Sequence, residues 1–306
     1  MKKPTILITS DWHIRSDSPE NRKKDFLRQQ EIKIDFILDV ANQYGVPIII
    51  AGDVGHIPKW ENQILEKYIR KFKNFQGTIF AIPGQHDLPN HRLDKLNESG
   101  LGVLIASKVI TNLKELKYNK LCFYGYPFGQ PIKLIPRLEG ARNIAIIHSL
   151  ISKSKLWDKQ ENFISAKTLL KKMPCYDLII SGDNHQSFIE RYEERLLINP
   201  GAIMRMSISQ IEHIPKIYLW YKEDNTVKEI KIPIKEGKEV FNLTKKSDEK
   251  ESNEKLSAFV KSLNLTGEEI KLNFRENLKR TLKNPKNKIS QPVKDKIFMA
   301  LPEDKK

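Results

Sequence analysis

Histidines and acidic residues recur in five short segments, each near the end of a run of apolar residues. The chain has only seven histidines, and five of them lie in these segments. In chain order the segments are Asp11-Trp12-His13, Gly52-Asp53-Val54-Gly55-His56, Gly84-Gln85-His86-Asp87, His148 and Gly182-Asp183-Asn184-His185. Imidazole, carboxylate and amide groups are together the ligands of borderline and hard divalent metal ions. The recurrence therefore predicts a metal-dependent site.

This set of ligands fits two neighbouring ions. Side chains repeat every two residues along an extended strand, so Asp11 and His13 can lie on one side. The carboxylate of Asp53 can bind one ion with each oxygen. Two ions about 3.5–4 Å apart can clamp a phosphoryl group and lower the pKa of a water, producing a nucleophile at neutral pH. The predicted chemistry is phosphoester hydrolysis without a covalent enzyme intermediate.

Each segment alone is weak evidence. A single Asp-x-His or Gly-Asp is a common strand-end sequence, and a lone buried histidine is more often a core residue than a ligand. Five such segments in order, each beside an apolar strand, are not expected by chance. We therefore favour the metal site over a purely structural interpretation.

Alternating strands and helices must position the first three segments. Apolar runs predict strands at Ile6–Ile8, Ile48–Ala51 and Thr78–Ile82, and helical spacing predicts helices over Lys24–Tyr44 and Trp60–Phe75. Ligand sites of α/β folds gather at the carboxyl ends of such strands. This rhythm predicts a sheet flanked by helices.

The apolar pattern after residue 82 predicts shorter strands and one helix. Strands are expected at Val103–Ile105, Val109–Ile110, Leu121–Tyr124, Ile144–Ile147 and Leu178–Ile180, and a helix over Ala166–Met173. Three further segments, Leu196–Ile198, Ile217–Tyr221 and Val227–Ile234, are expected to form an antiparallel set. The whole predicts an α/β sandwich with helices outside.

Composition narrows the function classes. The 306 residues carry 53 Lys and Arg against 38 Asp and Glu, a net charge of +15. Such an excess favours polyanions such as nucleic acid, although a generally lysine-rich composition would produce it too. No apolar run of about 18 residues occurs, so no membrane span is expected. Two cysteines and no signal-peptide core lead us to expect a cytoplasmic protein.

Three parts are expected along the chain. Residues 1–243 would form the catalytic domain. Residues 244–255 read as a charged linker without a hydrophobic residue, and residues 256–306 as a basic helical segment. Residues 271–306 hold 11 basic and 4 acidic residues. This segment would bind a partner or DNA; a solubilising tail is the alternative.

Over residues 4–221 the sequence resembles the calcineurin-like metallophosphoesterase superfamily, and within it the SbcD-type DNA repair nucleases, including their phage-encoded relatives. The resemblance rests on the five ordered segments and on Asn199-Pro200-Gly201. Gly-Asp-x-x-His, ending at His56, occurs in many of these nucleases, whereas many phosphatases of the superfamily carry Asp or Asn there. The resemblance implies a four-layer α-β-β-α sandwich with a small helical C-terminal appendage.

The resemblance also implies residue roles. It assigns Asp11, His13 and His185 to a first ion, Gln85, His148 and Asp183 to a second, and Asp53 to both. His86, oriented by Asp87, would stabilise the transition state or protonate the leaving oxygen, and His56 would lie beside the substrate phosphate. The implied ions are Mn²⁺, with Mg²⁺ as an alternative. From position alone, Arg15 and Arg205 are candidates for phosphate contact; solvated surface charge is the alternative for both.

Two residues depart from the family pattern. Gln85 stands where the family has Asn, and Asp183 where it has His. Both changes fall on the second ion, and both still offer an oxygen. They indicate either a retuned site with more negative charge or a weakened one; we favour retuning because the other residues of the pattern remain.

Three functions follow. The first is a DNA exonuclease and endonuclease of repair, recombination or replication. By resemblance, it would work with an SMC-like ATPase of SbcC type held by residues 256–306, and could form a homodimer through helices such as Trp60–Phe75. The second is a phosphomonoesterase or small-molecule phosphodiesterase of the same superfamily. The third is a non-catalytic scaffold subunit.

Overall fold

Short apolar strands build two six-stranded sheets in the computed structural model, which describes residues 2–23, 25–137, 140–155 and 164–242. The strands are β1 Ile6–Thr9, β2 Ile48–Ile50, β3 Ile79–Ala81, β4 Thr111–Asn112, β5 Glu115–Tyr118, β6 Leu121–Tyr126, β7 Arg142–His148, β8 Ile151–Ser152, β9 Ile164–Ser165, β10 Leu178–Gly182, β11 Phe188–Tyr192, β12 Arg195–Asn199, β13 Lys216–Tyr221 and β14 Thr226–Lys231. The helices are α1 Phe26–Tyr44, α2 Asn62–Lys73, α3 Gly100–Ala106, α4 Ala166–Lys172 and α5 Gly237–Val240. Short 3₁₀ turns cover Gln85–Asp87, Pro89–His91, Leu93–Glu98 and Ile208–Gln210.

Parallel strands form the centre of each sheet. The first sheet has the order β14-β13-β1-β2-β3-β4. Strands β1 to β4 run parallel, and β13 is antiparallel to both of its neighbours, β1 and β14. The second has the order β11-β12-β10-β7-β6-β5, with only its two edge strands antiparallel. Strands β8 and β9 form a separate pair. The parallel strands of each sheet therefore end at a common edge.

Alternation along the strands creates three apolar layers. Ile6 and Ile8 of β1 face the second sheet, where they meet residues such as Ile146 and Ile180. The intervening Leu7 packs with Phe26 of α1 in the layer beneath the helices. Each fully buried side chain of this kind stabilises the fold by about 1.5–3 kcal/mol.

The outer face of the second sheet is also covered. Leu169 and Leu170 of α4 pack on Ala145, Ile179 and Leu197 of its strands. The layers therefore run helix, sheet, sheet, helix, which confirms the predicted α-β-β-α sandwich.

Helix α1 ends where the sequence supplies a residue for a left-handed turn. Gly45 has φ 61°, and its N–H donates to the carbonyl of Asn42 at 3.1 Å. No Cβ would be obstructed there, because nothing lies within 4 Å of its position. The turn delivers the chain into β2 and so to Asp53.

Two strand predictions are wrong. Residues 103–105 belong to helix α3, because Leu101 and Leu104 are buried at helical spacing and the Ser99 hydroxyl accepts the Gly102 N–H at 3.1 Å. Residues 109–110 form a turn, and β4 begins at Thr111.

The antiparallel set is also wrong in part. Strand β12 lies in the second sheet, paired parallel with β10, while β13 and β14 lie in the first. Strand β11, which pairs with β12, was not predicted. Pairing between distant segments depends on which sheet buries each apolar face, and local alternation does not contain that information.

The chain divides into two units, Met1–Lys246 and Ser247–Lys306. All described residues belong to the first, so the predicted linker 244–255 and segment 256–306 lie outside them. Among the described residues, no helix is long and apolar enough to cross a membrane.

Candidate metal centre

The ends of parallel strands bring the five histidine-bearing segments together. Asp11 and His13 follow β1, Asp53 follows β2, and the Asp11 and His13 N–H groups donate to the carbonyls of Gly52 and Asp53 at 3.1 and 3.0 Å. The third segment is tied in by the His86 N–H, which donates to Asp53 Oδ1 at 2.9 Å. The second sheet contributes His148, the last residue of β7, and Asp183 and His185, which follow β10.

Several predicted ligands sit on strained backbone. Asp11, His13, Asp53 and Asp183 all have positive φ, at 50°, 46°, 51° and 83°. Such a conformation in a residue other than glycine costs roughly 1–3 kcal/mol and persists only where surrounding contacts hold it. The hydrogen bonds between the loops supply those contacts, and the strained turns direct the side chains to one place.

The first ligand group consists of Asp11, His13 and His185. One ligand atom from each lies within 4.8 Å of the others. The Nε2 atoms of His13 and His185 are 3.1 Å apart, and each is 3.9 Å from Asp11 Oδ1. These spacings suit donors arranged around a single cation.

The second ligand group consists of Asp11, Asp53 and His148, again within 4.8 Å of one another. His148 Nε2 is 3.3 Å from Asp53 Oδ2. His148 Nδ1 donates to the carbonyl of Ala51 at 2.7 Å, which fixes the ring and directs Nε2 toward the carboxylate. Asp53 also lies 3.8 Å from His13 Nε2, so it stands between the two groups.

Unpaired buried atoms show that this donor set fits metal ions. Within the described part of the chain, Asp53 Oδ2, His148 Nε2 and Gln85 Oε1 are buried without a hydrogen-bond partner, and the first two face each other at 3.3 Å. A buried polar atom without a partner costs about 1–3 kcal/mol. Three such atoms from neighbouring segments indicate a place for cations, and all three belong to predicted ligands.

Electrostatics agree with this arrangement at His13 and Asp53, whereas Asp53, against the effect of burial, raises the pKa of His148 to about 10, so His148 must lose a proton to bind a metal. Burial lowers the pKa of His13 well below its usual range despite the nearby Asp53, so its imidazole is neutral and able to bind a metal. Burial alone would raise the pKa of Asp53, but His148, whose Nε2 lies 3.3 Å from Asp53 Oδ2, lowers it to about 2. The bridging carboxylate is therefore ionised at neutral pH and needs positive charge beside it.

His56 and His86 lie beside the first group as a stacked pair. Their ring centroids are 5.5 Å apart with an interplanar angle of 12°, and His86 is 4.9 Å from His13. His86 Nδ1 donates to the carbonyl of His56 at 2.9 Å, and Nε2 has no hydrogen-bond partner among the described residues. Burial, Arg15 and His86 together lower the pKa of His56 to about 4, so His56 is neutral.

The prediction that Asp87 orients the His86 ring needs correction. The Asp87 carboxylate accepts three backbone N–H groups, from Gly55 at 2.8 Å, Gly84 at 2.9 Å and Val54 at 3.2 Å. Asp87 therefore holds the second and third loops together. The carbonyl of His56 holds the His86 ring instead, because Asp87 points back into the loops.

Gln85 and Asp183, the two departures from the family pattern, contact each other. The Gln85 side-chain amide donates to Asp183 Oδ1 at 2.6 Å. The Asp183 N–H donates to both oxygens of Asp11 at 3.2 and 3.3 Å. Asp183 thus joins its own loop to the loop of β1 and to the third loop.

The two candidate arginines differ in placement. The Arg15 guanidinium forms a fork with Asp17, at 2.8 and 2.6 Å, and its charge is felt by His56. Arg205 is buried, and its Nη1 and Nη2 atoms donate to the carbonyls of Ile211 and Lys235. The position of Arg205 therefore supports a packing role and lends no support to the predicted phosphate contact.

Glycines that precede the ligands allow other ligand side chains to approach the backbone closely, which was not predicted from the sequence. A Cβ on Gly52 would overlap His148 Nδ1, and one on Gly84 would overlap Asp53 Oδ1. Their place directly before Asp53 and Gln85 was the available signal. Gln210, whose amide lies 3.4 Å from His185 Nδ1, had no sequence signal.

Cavities at opposite edges of the sandwich differ in chemistry. One of about 500 Å³ opens beside His185 and is also lined by Asp183, Gln186 and Gln210. Another, of about 620 Å³, lies where the strands begin and has no aspartate, glutamate or histidine in its lining. Of these two cavities, the first adjoins the ligand groups and can give a substrate access to them.

A family model for the calcineurin-like phosphoesterase superfamily domain matches residues 5–214. No curated protein matches the chain.

Solved structures similar to this chain include three from different organisms. An archaeal phosphodiesterase is 19% identical, with 74% of this chain and 98% of that one covered and a TM-score of 0.42. The calcineurin-like phosphoesterase YfkN from Bacillus subtilis is 16% identical, with 85% and 100% covered and a TM-score of 0.41. Zinc-complexed Vps29 from Entamoeba histolytica is 13% identical, with 74% and 99% covered and a TM-score of 0.35.

Proposed function

The chain belongs to the calcineurin-like phosphoesterase superfamily, and from that premise we propose that it is a two-metal-dependent DNA nuclease that hydrolyses phosphodiester bonds. One observation carries the metal chemistry: the ligand atoms of Asp11, His13, Asp53, His148 and His185 converge, and two of them are buried and unpaired. The chain is accordingly a metal-dependent phosphoesterase. The DNA substrate is the finer part of the proposal.

The residues of this site would have different roles in metal binding and catalysis. Asp11, His13 and His185 would hold one ion, Asp53 and His148 another, with Asp53 shared. When bound, two such ions would polarise the phosphate and activate a water for in-line attack. His86 would stabilise the charge that develops or deliver a proton to the leaving oxygen, since its Nδ1 is occupied and Nε2 is available.

Three features support a polyanionic substrate. The net charge is +15, which favours association with DNA over long distances. His56 ends a Gly-Asp-x-x-His sequence that resembles the one in many, though not all, SbcD-type nucleases, and it lies beside His86. Arg15 adds a cation next to His56 whose present partner, Asp17, is 68% exposed and could be exchanged for a phosphate.

Partners belong to the same proposal. We expect an SMC-like ATPase of SbcC type to bind residues 256–306, whose excess of lysine could instead contact DNA. A homodimer through the helices of the first unit is a further possibility of this family type. Mn²⁺ is the ion we expect, because mixed oxygen and nitrogen ligands suit it.

The test compares substrates under Mn²⁺. Release of label from linear duplex and single-stranded DNA is measured beside hydrolysis of p-nitrophenyl phosphate, with Asp53→Ala as the inactive control. DNA degradation that Asp53→Ala lacks is the expected result. Hydrolysis of the small ester alone would replace the nuclease by a phosphomonoesterase or small-molecule phosphodiesterase. No hydrolysis, together with fewer than two ions per chain, would favour the scaffold.

A further inference from the structure

Asp183 and Gln85 form a pair whose geometry separates their roles. We propose that Asp183 is a positioning residue that holds the Gln85 amide, so that the second ion is bound by Asp53, His148 and Gln85 rather than by Asp183. The inference rests on the proposed two-ion centre. It changes the family-based expectation for Asp183 from ligand to support of a ligand.

The hydrogen bond sets the direction of the amide. An ionised carboxylate only accepts, so the NH₂ group of Gln85 must face Asp183 Oδ1, which it contacts at 2.6 Å. The Gln85 Oε1 atom then points away from Asp183, and it is buried without a partner. Asp183 therefore exposes the oxygen of Gln85 for another electropositive partner.

We assign that partner to the second ion because the neighbouring segments hold further unpaired ligand atoms. Besides Gln85 Oε1, the other unpaired ligand atoms of this half are Asp53 Oδ2 and His148 Nε2, which are 3.3 Å apart. Gln85 is tied to Asp53 through its neighbours, because the His86 N–H donates to Asp53 Oδ1 and Gly84 packs against the same oxygen. These three atoms provide a carboxylate, an imidazole and an amide oxygen.

Asp183 is absent from the converging groups. Among the residues that the structure describes, the groups of carboxylate and imidazole atoms within 4.8 Å include Asp11, Asp53 and His148 but not Asp183. The backbone of Asp183 is also fixed in place, since its φ is 83° and its N–H donates to the Asp11 carboxylate. The preceding Gly182 packs against the Ala51 carbonyl so closely that a Cβ would overlap it. The direction of the Asp183 side chain is therefore set by its loop.

The length of glutamine gives a physical reason for such support. Compared with asparagine, glutamine has one more rotatable bond, and ordering it on ion binding loses more conformational entropy. A carboxylate that already holds the amide removes much of that loss before the ion arrives. Outer partners of metal ligands commonly contribute 10–100-fold to metal affinity.

Mn²⁺ binding to the full chain tests the proposal without any nucleic acid. Titration calorimetry and the electron paramagnetic resonance signal of free Mn²⁺ are measured for the wild type, Asp183→Asn, Asp183→Ala and Asp53→Asn. Asp183→Asn retains an acceptor for the Gln85 amide, so the second-ion Kd should change less than about threefold. Asp183→Ala should weaken that ion about 10–100-fold. Asp53→Asn, which alters a ligand carboxylate directly, should weaken both ions.

Equal weakening by Asp183→Asn and Asp183→Ala would overturn the proposal, because a supporting acceptor is retained in only one of them. Circular dichroism melting curves confirm that each variant is folded. If Asp183→Ala does not fold, the wild type and Asp183→Asn decide the matter through crystals soaked in Mn²⁺. An Asp183 oxygen within about 2.3 Å of an ion would contradict the proposal, and Gln85 Oε1 at that distance without Asp183 would support it.

The outcome is separable from the proposed nuclease activity. A chain that binds two Mn²⁺ ions with the expected variant pattern and leaves DNA intact would refute the nuclease and retain the role of Asp183. A wild-type chain that binds no second ion would overturn the role of Asp183.

Discussion

The two halves of the metal centre reach the same chemistry by different constructions. In the first half, His13 and His185 approach through Nε2 at 3.1 Å, and the His185 side chain is 33% exposed. In the second half, His148 is fully buried, with its ring fixed by the Ala51 carbonyl. The first half therefore reaches solvent through His185, although Asp11 and His13 are buried, whereas His148 in the second half is enclosed.

This difference shows where each half obtains its order. Strained backbone occurs in both halves, at Asp11 and His13 in the first and at Asp53 and Asp183 in the second, and hydrogen bonds between loops hold it in the first. The second half depends on close approach at glycines and on side-chain supports such as Asp183. We therefore expect substitutions to affect the two halves unequally, except at Asp11, which belongs to both ligand groups, and at Asp53, which stands between them.

The largest effect is expected at the shared residue. Asp53→Ala should reduce phosphoester hydrolysis by about 10⁴-fold, equivalent to about 5.5 kcal/mol of barrier, because both ions lose a ligand. Initial rates under saturating Mn²⁺ measure it, with the exposed Asp94→Ala as a control that should retain full activity. Retention of more than a tenth of the rate by Asp53→Ala would show that the halves do not share this carboxylate.

A residue outside both halves should affect the chemistry alone. His86→Asn should lower the rate of hydrolysis by about 10²–10⁴-fold while two Mn²⁺ ions still bind, since His86 acts on the substrate. The exposed His91→Asn is the matched control, and its rate should be unchanged. Loss of an ion in His86→Asn would instead make His86 part of the metal centre.

The stability of the protein should be sensitive to a single methyl group added in the enclosed half. Gly52→Ala should lower the free energy of unfolding by about 2–4 kcal/mol, because it combines left-handed backbone with overlap against His148. Gly45→Ala has positive φ but open space around it, so its loss should be about 1–2 kcal/mol. Urea unfolding measures both values. Equal losses would mean that the loop around His148 yields easily.

The last effect appears only as pH changes, and it concerns the support behind the first half. Lys33 donates to the carbonyl of Ile203 at 2.8 Å, and the Ile203 N–H donates to that of Asp11. Burial, together with Arg205 and Arg22, lowers the pKa of Lys33 from 10.5 to about 7. Between these values the unfolded chain binds a proton that the folded chain has lost, so this group makes stability rise with pH.

The measurement is the free energy of unfolding from pH 7 to pH 10. Lys33 should contribute a rise of up to about 1.4 kcal/mol per pH unit, which Lys33→Met removes. Lys67→Met, at an exposed ion pair with Glu31, should leave the slope as it is in the wild type. Identical slopes in Lys33→Met and the wild type would show that Lys33 is protonated alike in both states.

Much of the fold could be predicted from local sequence. The strands before Asp11 and Asp53 and helix α1 follow from apolar period and from Gly45, because each depends on neighbours within a few turns. Residues 103–105 were assigned wrongly because three consecutive apolar residues satisfy a strand and a buried helix equally well. The cap at Ser99 and the burial of Leu104 decided between them.

Side-chain type and strand period are local properties, so the donors that this protein offers, and their place after strands, can be read from the sequence alone. What each donor contacts depends on how distant segments pack. Asp87 supports the loops of Gly55 and Gly84, and Asp183 holds Gln85, although 98 residues separate that last pair. A hydrogen bond forms only when the donor–acceptor distance is within a few tenths of an ångström of its preferred value and the angle lies in a narrow range. Such precision arises when two sheets pack and their strand ends meet, and it is not encoded in spacing along the chain.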